Sequence, residues 1–225
     1  MSSPHAGQLA PLTLILGGAR SGKSRFAEAL IERAAACGTY CATAEPKDDE
    51  MAGRIAAHRA QRGAFWRTIE APLAVADTIA AAANPERPLL VDCLTLWLSN
   101  LLMAGAPIDE EFATLRAALR DAAGPIVLVA NEVGLGLVPE TPLGRHFRDA
   151  AGRLNQDIAA LADRVVFVAA GLPLVLKDSP SPPLRGEREG PGAQRWEGEV
   201  GVGKRSGIPH LTPTLSAPRG GEGEN

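Results

Sequence analysis

A glycine-rich segment between an apolar run and a helical run leaves few folds open to this chain. Residues 12–16 form the apolar run, and residues 17–24 fit the pattern G-x-x-x-x-G-K-[ST], in which a loop wraps around phosphate groups. Glycines let the backbone approach the anion, and amide N–H groups at the start of the next helix point at it. The residues of this phosphate loop are Gly17, Gly18, Ala19, Arg20, Ser21, Gly22, Lys23 and Ser24.

Two side chains of the phosphate loop have predictable roles. Lys23 is expected to bridge the terminal phosphates of a nucleotide, and the Ser24 hydroxyl is expected to hold Mg²⁺. The alternative is a glycine-rich turn that contains Gly-Lys-Ser by chance. The strand-like run before the loop and the helical run of residues 25–31 after it are the context that the motif requires, so we predict a nucleotide site.

Length and charge exclude several other classes of protein. A chain of 225 residues has room for one α/β domain and a tail. A net charge of -3 provides no basic surface for nucleic acid, so none is expected as a partner. Residues 1–8 lack Lys, Arg and a signal-like apolar core, and no apolar run approaches a membrane span. Cys37, Cys41 and Cys93 form no even disulfide set, so we expect buried thiols in a cytoplasmic protein.

Strand-like and helical runs alternate along residues 12–177, which implies right-handed crossovers and a mainly parallel sheet. Predicted strands cover residues 12–16, 39–44, 65–70, 88–92, 125–130, 165–169 and 171–177. Predicted helices cover residues 24–37, 49–62, 73–83, 94–103, 109–122 and 143–162. Gly38 is expected to end the first helix in the left-handed conformation. The prediction is an α/β fold like that of P-loop NTPases over residues 1–177, folded from about residue 11.

Residues 178–225 differ abruptly in composition from the rest of the chain. These 48 residues contain 7 Pro and 10 Gly, few apolar residues and no periodicity, so they are predicted to form a disordered tail. Residues 181–187 and 215–222 share Pro, Arg, Gly and Glu, which indicates a translated repeat or a displaced reading frame. We expect the tail to be dispensable for activity.

Polar residues follow two of the predicted strands. Asp92 closes an apolar strand, where P-loop proteins place a carboxylate beside the phosphate loop; capping the helix that begins near residue 94 is the alternative, and both roles are compatible. Asn131 and Glu132 follow the strand at residues 125–130, on the edge where open α/β sheets bind ligands. A turn rich in Gly and Pro would also use an Asn for local reasons.

A single histidine lies on the apolar face of the predicted helix at residues 49–62. His58 shares that face with Met51 and Ile55, at helical spacing, and cationic residues surround it. From spacing alone, a structural role and a chemical role both remain open for this histidine.

Several stretches together resemble one known family. They are the phosphate loop and residues 49–51, 54–55, 58–59, 66–70, 131–134 and 152–156. In this order they are similar to the bifunctional adenosylcobinamide kinase / adenosylcobinamide-phosphate guanylyltransferase over about residues 12–177. The resemblance implies phosphorylation of the aminopropanol hydroxyl of adenosylcobinamide by ATP or GTP. Transfer of GMP from GTP to that phosphate would follow, giving adenosylcobinamide-GDP and pyrophosphate in cobalamin biosynthesis.

The resemblance also implies roles for individual residues and a homotrimeric assembly. His58 matches the guanylylated histidine, whose neutral imidazole can attack the α-phosphorus, and Lys23 would act in catalysis. Ser24 and Asp92 would hold Mg²⁺, while Arg54, Arg59 and Arg62 could stabilise charge on the phosphates. The positions that match nucleotide contacts outside the loop are Ala42, Thr43, Ala44, Arg59, Ala60, Gln61, Arg62, Glu70 and Asp92.

Some assignments at the site are hypotheses of our own. Glu70 has the chemistry to accept hydrogen bonds from guanine N1 and N2. Asn131, Glu132 and Arg153 are candidates for the corrinoid surface. Ala57 precedes His58 where some relatives carry a second histidine, which makes His58 the sole candidate nucleophile. Two rival functions are a single-function P-loop kinase for another small metabolite and a nucleotide-binding switch without catalysis.

Overall fold

The fold is built on a seven-stranded sheet that is parallel except at one edge. The structure is a computed structural model that describes residues 9–45, 53 and 63–179. The strands are β1 (Leu12–Gly17), β2 (Gly38–Ala42), β3 (Trp66–Glu70), β4 (Leu89–Asp92), β5 (Ile126–Asn131), β6 (Arg164–Ala169) and β7 (Leu172–Asp178). Their order is β3-β2-β4-β5-β1-β6-β7, and among these strands only the β6–β7 pair is antiparallel. The predicted mainly parallel α/β sheet is confirmed.

Helices cover both faces of this sheet. They are α1 (Lys23–Ala34), α2 (Val75–Ala82), α3 (Leu94–Met103), α4 (Ile108–Arg120) and α5 (Pro142–Leu161). Because side chains alternate along a strand, Leu14 packs in the apolar cluster formed with α2 to α5, while Ile15 packs in the cluster formed with α1. In the part of the chain that the structure describes, no helix combines the length and apolarity needed to cross a membrane.

The predicted boundaries needed correction at the end of the first helix. Helix α1 ends at Ala34 and not at residue 37, and Gly38 is the first residue of β2 and not a left-handed terminator. A Cβ at Gly38 would lie 2.6 Å from the Trp66 ring, so the glycine serves strand packing. Strand β5 also extends one residue further than predicted, to Asn131.

The predictions for the cysteines are partly confirmed, and those for two segments fall largely on residues that the structure does not describe. Cys41 and Cys93 are buried free thiols as expected, whereas the expectation of burial is wrong for Cys37, which is partly exposed. The predicted helix at residues 49–62 lies outside the described residues, apart from Gly53. The predicted tail, residues 178–225, also lies outside the described residues beyond Ser179. Asp178, the first residue of that predicted tail, belongs to β7.

Candidate active site

The phosphate loop connects β1, in the middle of the sheet, to the first turn of α1. Gly17 has no room for a side chain, because a Cβ there would lie 2.5 Å from the Val168 carbonyl oxygen and 2.6 Å from Ser21 Oγ. Gly22, the N-cap of α1, has a φ of 93°, in the left-handed region that favours glycine. Two of the loop's glycines are therefore required by its geometry.

A hairpin turn holds the phosphate loop from the side of β6. Ala170 and Gly171 link β6 to β7 with φ values of 51° and 79°, and a two-residue turn with both φ values positive matches the twist of a hairpin. The Gly171 N–H donates a hydrogen bond of 2.8 Å to the Ser21 carbonyl oxygen. The antiparallel edge of the sheet thus helps to shape the loop.

Lys23 is the first residue of α1, and its side chain folds back over the loop. The residue is only 9% exposed, and Nζ donates a hydrogen bond of 3.2 Å to the Gly18 carbonyl oxygen. The ammonium group is thereby held against the backbone of the loop, where phosphate oxygens would be stronger partners than a carbonyl. The role of Lys23 in binding phosphate stays a prediction.

Asp92 ends β4 and faces the start of α1. Ser24 Oγ donates to Asp92 Oδ1 at 3.3 Å, and the Tyr40 hydroxyl donates to Asp92 Oδ2 at 2.6 Å. The N-cap of α3 is Cys93, without a side-chain capping bond, so the interpretation of Asp92 as a helix cap is wrong. A hydroxyl and a carboxylate placed together are oxygen donors of the kind that Mg²⁺ binds with several waters retained.

The described residues contain no larger set of metal ligands. No group of three or more His, Cys, Asp and Glu side chains converges anywhere in residues 9–45, 53 and 63–179. The Ser24–Asp92 pair therefore fits an ion that also takes its ligands from phosphate and water, as Mg²⁺ does in nucleotide sites.

Thr43 ties the end of β2 to the residue after Asp92. The side chain is fully buried, and its hydroxyl both donates to the Cys93 carbonyl oxygen and accepts from the Cys93 N–H, each at 2.8 Å. Asn100 Nδ2 donates to the Thr43 carbonyl oxygen at 2.8 Å. Thr43 therefore positions Asp92 through the backbone, and a direct contact of Ala42, Thr43 or Ala44 with a nucleotide stays a prediction.

Glu70 lies at the same edge of the sheet but far from the phosphate loop. It ends β3 in register with Ala42 and is exposed. Four strand spacings separate β3 from β1, which is about 19 Å at about 4.8 Å each. A guanine contact by Glu70 would require the nucleotide to extend along the carboxyl edge of the sheet, past β5, β4 and β2.

The structure does not place the candidates on residues 54–62 or Arg153 at this edge of the sheet. His58, Arg59, Ala60, Gln61 and Arg62 lie outside the part that the structure describes, and so does Arg54. Arg153 lies on α5, with its Nη1 3.6 Å from Asp109 Oδ1. This pair lines a cavity of about 440 Å³ between α4 and α5. Because these helices cover the face opposite α1, the geometry gives no support to Arg153 as a corrinoid contact.

Several residues of the site escaped the sequence analysis. They are Tyr40, which binds Asp92, Thr95, which binds the backbone of Asn131, and Gly171, which binds the loop. Asn155, which also binds the backbone of Asn131, belonged to the stretch that carried the resemblance but was given no role. Tyr40 had a detectable signal, since it lies two residues before Ala42 on a strand whose alternate side chains share one face. The others depend on the order of the strands in the sheet, which no local pattern contains.

Comparison with known proteins points to one family. The model of the family described as cobinamide kinase / cobinamide phosphate guanyltransferase (CobU) matches residues 13–176. The chain is 53% identical over 169 residues to the bifunctional adenosylcobalamin biosynthesis protein CobP of Pseudomonas aeruginosa, covering 74% of this chain and 98% of that protein. It is 44% identical over 181 residues to the bifunctional adenosylcobalamin biosynthesis protein CobU of Salmonella typhimurium, covering 74% and 99%. Among solved structures, the flagellar accessory protein FlaH of Methanocaldococcus jannaschii aligns with a TM-score of 0.42 and 14% identity over 77% of this chain and 81% of that chain.

Proposed function

This chain belongs to the cobinamide kinase / cobinamide phosphate guanyltransferase family, and we propose that it catalyses both reactions in cobalamin biosynthesis. It phosphorylates adenosylcobinamide with a nucleoside triphosphate and then transfers GMP from GTP to the phosphate so formed. The observation that carries the proposal is the placement of Lys23, Ser24 and Asp92 around one phosphate loop, in a chain that matches the family over residues 13–176.

The kinase reaction uses the described residues of the phosphate loop. Amide groups of the loop and Lys23 bind the phosphates, and Ser24 with Asp92 would hold Mg²⁺. Bound Mg²⁺ supplies neutralisation of charge on the phosphate oxygens. The aminopropanol hydroxyl oxygen bonds to the γ-phosphorus, the bond from that phosphorus to the β-phosphate oxygen breaks, and the hydroxyl proton is released. Lys23 stabilises the charge that develops on the transferred group.

The guanylyl transfer is proposed to use His58 as the nucleophile. An imidazole nitrogen attacks the α-phosphorus of GTP and pyrophosphate leaves, which gives a phosphoramidate. The phosphate of adenosylcobinamide phosphate then displaces the histidine and takes up GMP. Support for this assignment comes from the resemblance of the segment around His58 to the family, inside the matched residues 13–176, and from Arg54, Arg59 and Arg62, which are near it in the sequence.

We infer that the corrinoid lies against an apolar loop beside the phosphate loop. The loop begins at Glu132, whose N–H donates to the Gly17 carbonyl oxygen at 3.1 Å. It exposes Leu135 (81%), Leu137 (95%) and Val138 (65%). Because the acceptor hydroxyl must reach the terminal phosphate, the large ligand that carries it must lie next to the phosphate loop. Leu137→Ser should raise the KM for adenosylcobinamide and leave the affinity for GTP unchanged; equal effects on both would contradict the placement.

Two further attributes complete the proposal. The family resemblance implies a homotrimer, and the three cysteines, which form no even disulfide set, predict a cytoplasmic enzyme. Light scattering on the full chain would measure the assembly, and a mass other than three chains would contradict the trimer.

The test of the proposed function is a covalent labelling experiment. The full chain is incubated with Mg²⁺ and GTP labelled at the α-phosphate, and intact mass shows whether GMP becomes attached through an acid-labile bond. The expected adduct disappears in His58→Ala, whereas phosphorylation of adenosylcobinamide persists. Absence of an adduct in the folded, GTP-binding protein would contradict the transferase, leaving a single-function kinase or a nucleotide switch. Loss of both reactions in folded His58→Ala would indicate a structural or shared role.

A further inference from the structure

The side-chain oxygen of Asn131 is buried and has no hydrogen-bond partner among the residues that the structure describes. Asn131 is the last residue of β5, the strand that lies between the phosphate-loop strand β1 and the Asp92 strand β4. Its Cα pairs with that of Gly17, while Asp92 pairs with Val129, two residues earlier on β5. Asn131 therefore lies at the carboxyl edge between the two strands that bear the proposed phosphate and Mg²⁺ ligands.

The alternation of side chains places Asn131 on the same face of the sheet as α1. Val127 and Val129 belong to the apolar cluster in which Ala27 and Ile31 of α1 pack. Because alternate residues of a strand share a face, the side chain of Asn131 continues this row. Lys23 and Ser24 begin α1, so the amide lies on the nucleotide side of the sheet.

Two buried polar side chains hold the backbone of Asn131. Its N–H donates to Thr95 Oγ1 at 2.7 Å, and its carbonyl oxygen accepts from Asn155 Nδ2 at 3.2 Å. Thr95 on α3 and Asn155 on α5 are each only 7% exposed. The backbone of Asn131 is thus fixed by groups from two helices, while its side-chain oxygen is left unsatisfied by the described part of the chain.

An unsatisfied buried polar atom destabilises the folded state, so native proteins rarely retain one without a reason. A half-turn of the amide exchanges its oxygen for its nitrogen, so the same side chain can present either an acceptor or a donor. We propose that Asn131 binds the terminal phosphate of the nucleoside triphosphate through its side-chain amide, with Thr95 and Asn155 as positioning residues. This inference rests on the nucleotide site of the proposed function, and it makes Asn131 a determinant of triphosphate over diphosphate binding.

The test compares two nucleotides on the full chain by calorimetry in Mg²⁺. The probes are a GTP analogue with a non-hydrolysable β,γ-imido bond and GDP. Asn131→Ala should weaken binding of the analogue roughly tenfold, because one charge-assisted hydrogen bond to the terminal phosphate is lost. The affinity for GDP should be unchanged. Asn131→Asp is nearly isosteric and should weaken binding of the analogue further, because it places a negative charge beside the phosphate. Thr95→Val should give a smaller loss with the same selectivity.

Asn84→Ala is the matched control, since Asn84 lies in the turn before β4 and its Oδ1 accepts from the Glu86 N–H at 2.8 Å. It should leave both affinities unchanged. An equal loss for analogue and GDP in the Asn131 variants, or no loss in either variant, would overturn the proposal. If the unaltered chain bound neither nucleotide, the phosphate loop and Asn131 would fail together. If it bound the analogue selectively but formed no GMP adduct, only the proposed transferase would fail.

Discussion

The Tyr40 hydroxyl donates a hydrogen bond of 2.6 Å to Asp92 Oδ2, across the β2–β4 pair. Tyr40 is almost completely buried, and its ring packs edge-on against Trp66 with the ring centroids 5.8 Å apart. Hydrogen bonds from a hydroxyl to a carboxylate are short and strong. The bond fixes one carboxylate oxygen of Asp92, so that the other points toward Ser24.

Tyr40→Phe should impair the use of Mg²⁺ without unfolding the protein. The ring contact with Trp66 is retained, but Asp92 loses a charge-assisted hydrogen bond, for which about 1.5–3 kcal/mol is typical. We expect kinase activity at low Mg²⁺ to fall about tenfold or more and to recover partly as Mg²⁺ is raised. A titration of the initial rate with Mg²⁺ measures this effect. An unchanged Mg²⁺ dependence would show that Tyr40 does not position Asp92.

Gly17→Ala should destabilise the protein, whereas Gly18→Ala should not. The new Cβ at Gly17 would meet the Val168 backbone oxygen at 2.5 Å, while a Cβ at Gly18 has no atom of the described residues within 4 Å. Overpacking of this kind costs about 1–3 kcal/mol, which lowers the melting temperature by several degrees in a domain of this size. Thermal unfolding followed by circular dichroism compares the two. Equal melting temperatures would contradict the close approach of β1 and β6 at the loop.

Glu70→Gln should weaken the binding of GTP more than the binding of ATP. The carboxylate can accept from guanine N1 and N2, whereas adenine offers no such pair of donors at this edge. Competition binding of the two nucleotides to the variant and the unaltered chain measures the preference. Equal losses for GTP and ATP would refute the guanine role and indicate that Glu70 serves the end of β3.

The buried thiols should make the folded state less stable in alkali. Burial raises the pKa of Cys41 from 9.0 to about 12, and burial followed by the charge of Asp92 raises that of Cys93 to about 11. Above pH 9 the unfolded chain releases thiol protons that the folded chain keeps. The free energy of unfolding therefore falls as pH rises, by at most about 1.4 kcal/mol per pH unit for each thiol.

Cysteine variants separate this effect from other titrations. In denaturant unfolding between about pH 8 and about pH 11, Cys41→Ala should show a shallower loss of stability with pH than the unaltered chain. Cys37→Ala, at a partly exposed position, serves as the control and should keep the full slope. Identical slopes for all three proteins would show that thiol burial does not govern stability in alkali.

Truncation should be harmless after Ser179 but not before β7. The Ser179 N–H donates to the Asp163 carbonyl oxygen at 2.9 Å, and Lys177 Nζ donates to the Ala159 and Ala160 carbonyl oxygens at 3.1 Å each. A chain ending at residue 179 keeps these bonds and should retain activity and melting temperature. A chain ending at residue 169 loses them and the Gly171–Ser21 bond, and it should bind GTP weakly. Loss of activity in the longer, folded truncation would assign a function to residues 180–225.

The local sequence pattern was sufficient to predict the phosphate loop and most of the helices and strands that the structure describes. The loop could be predicted because its glycines, Lys23 and Ser24 all lie within residues 17–24. Their arrangement depends on the local backbone and not on distant parts of the chain. Strands such as β5 could be predicted because a buried parallel strand is a continuous apolar run. Gly38 was misjudged because the space around a glycine depends on Trp66, a residue distant in the chain.

The contacts around Asp92 and Asn131 could not be predicted from the local sequence pattern. Whether Asp92 caps α3 or faces Ser24 depends on the direction of its side chain, and two interpretations fitted the same residues until the hydrogen bonds to Ser24 and Tyr40 were known. Asn131 acquires its place beside Gly17 only because β5 lies between β4 and β1. Strand order is a property of long-range pairing and packing, so the short-range periodicity that reveals each strand carries no information about its neighbours.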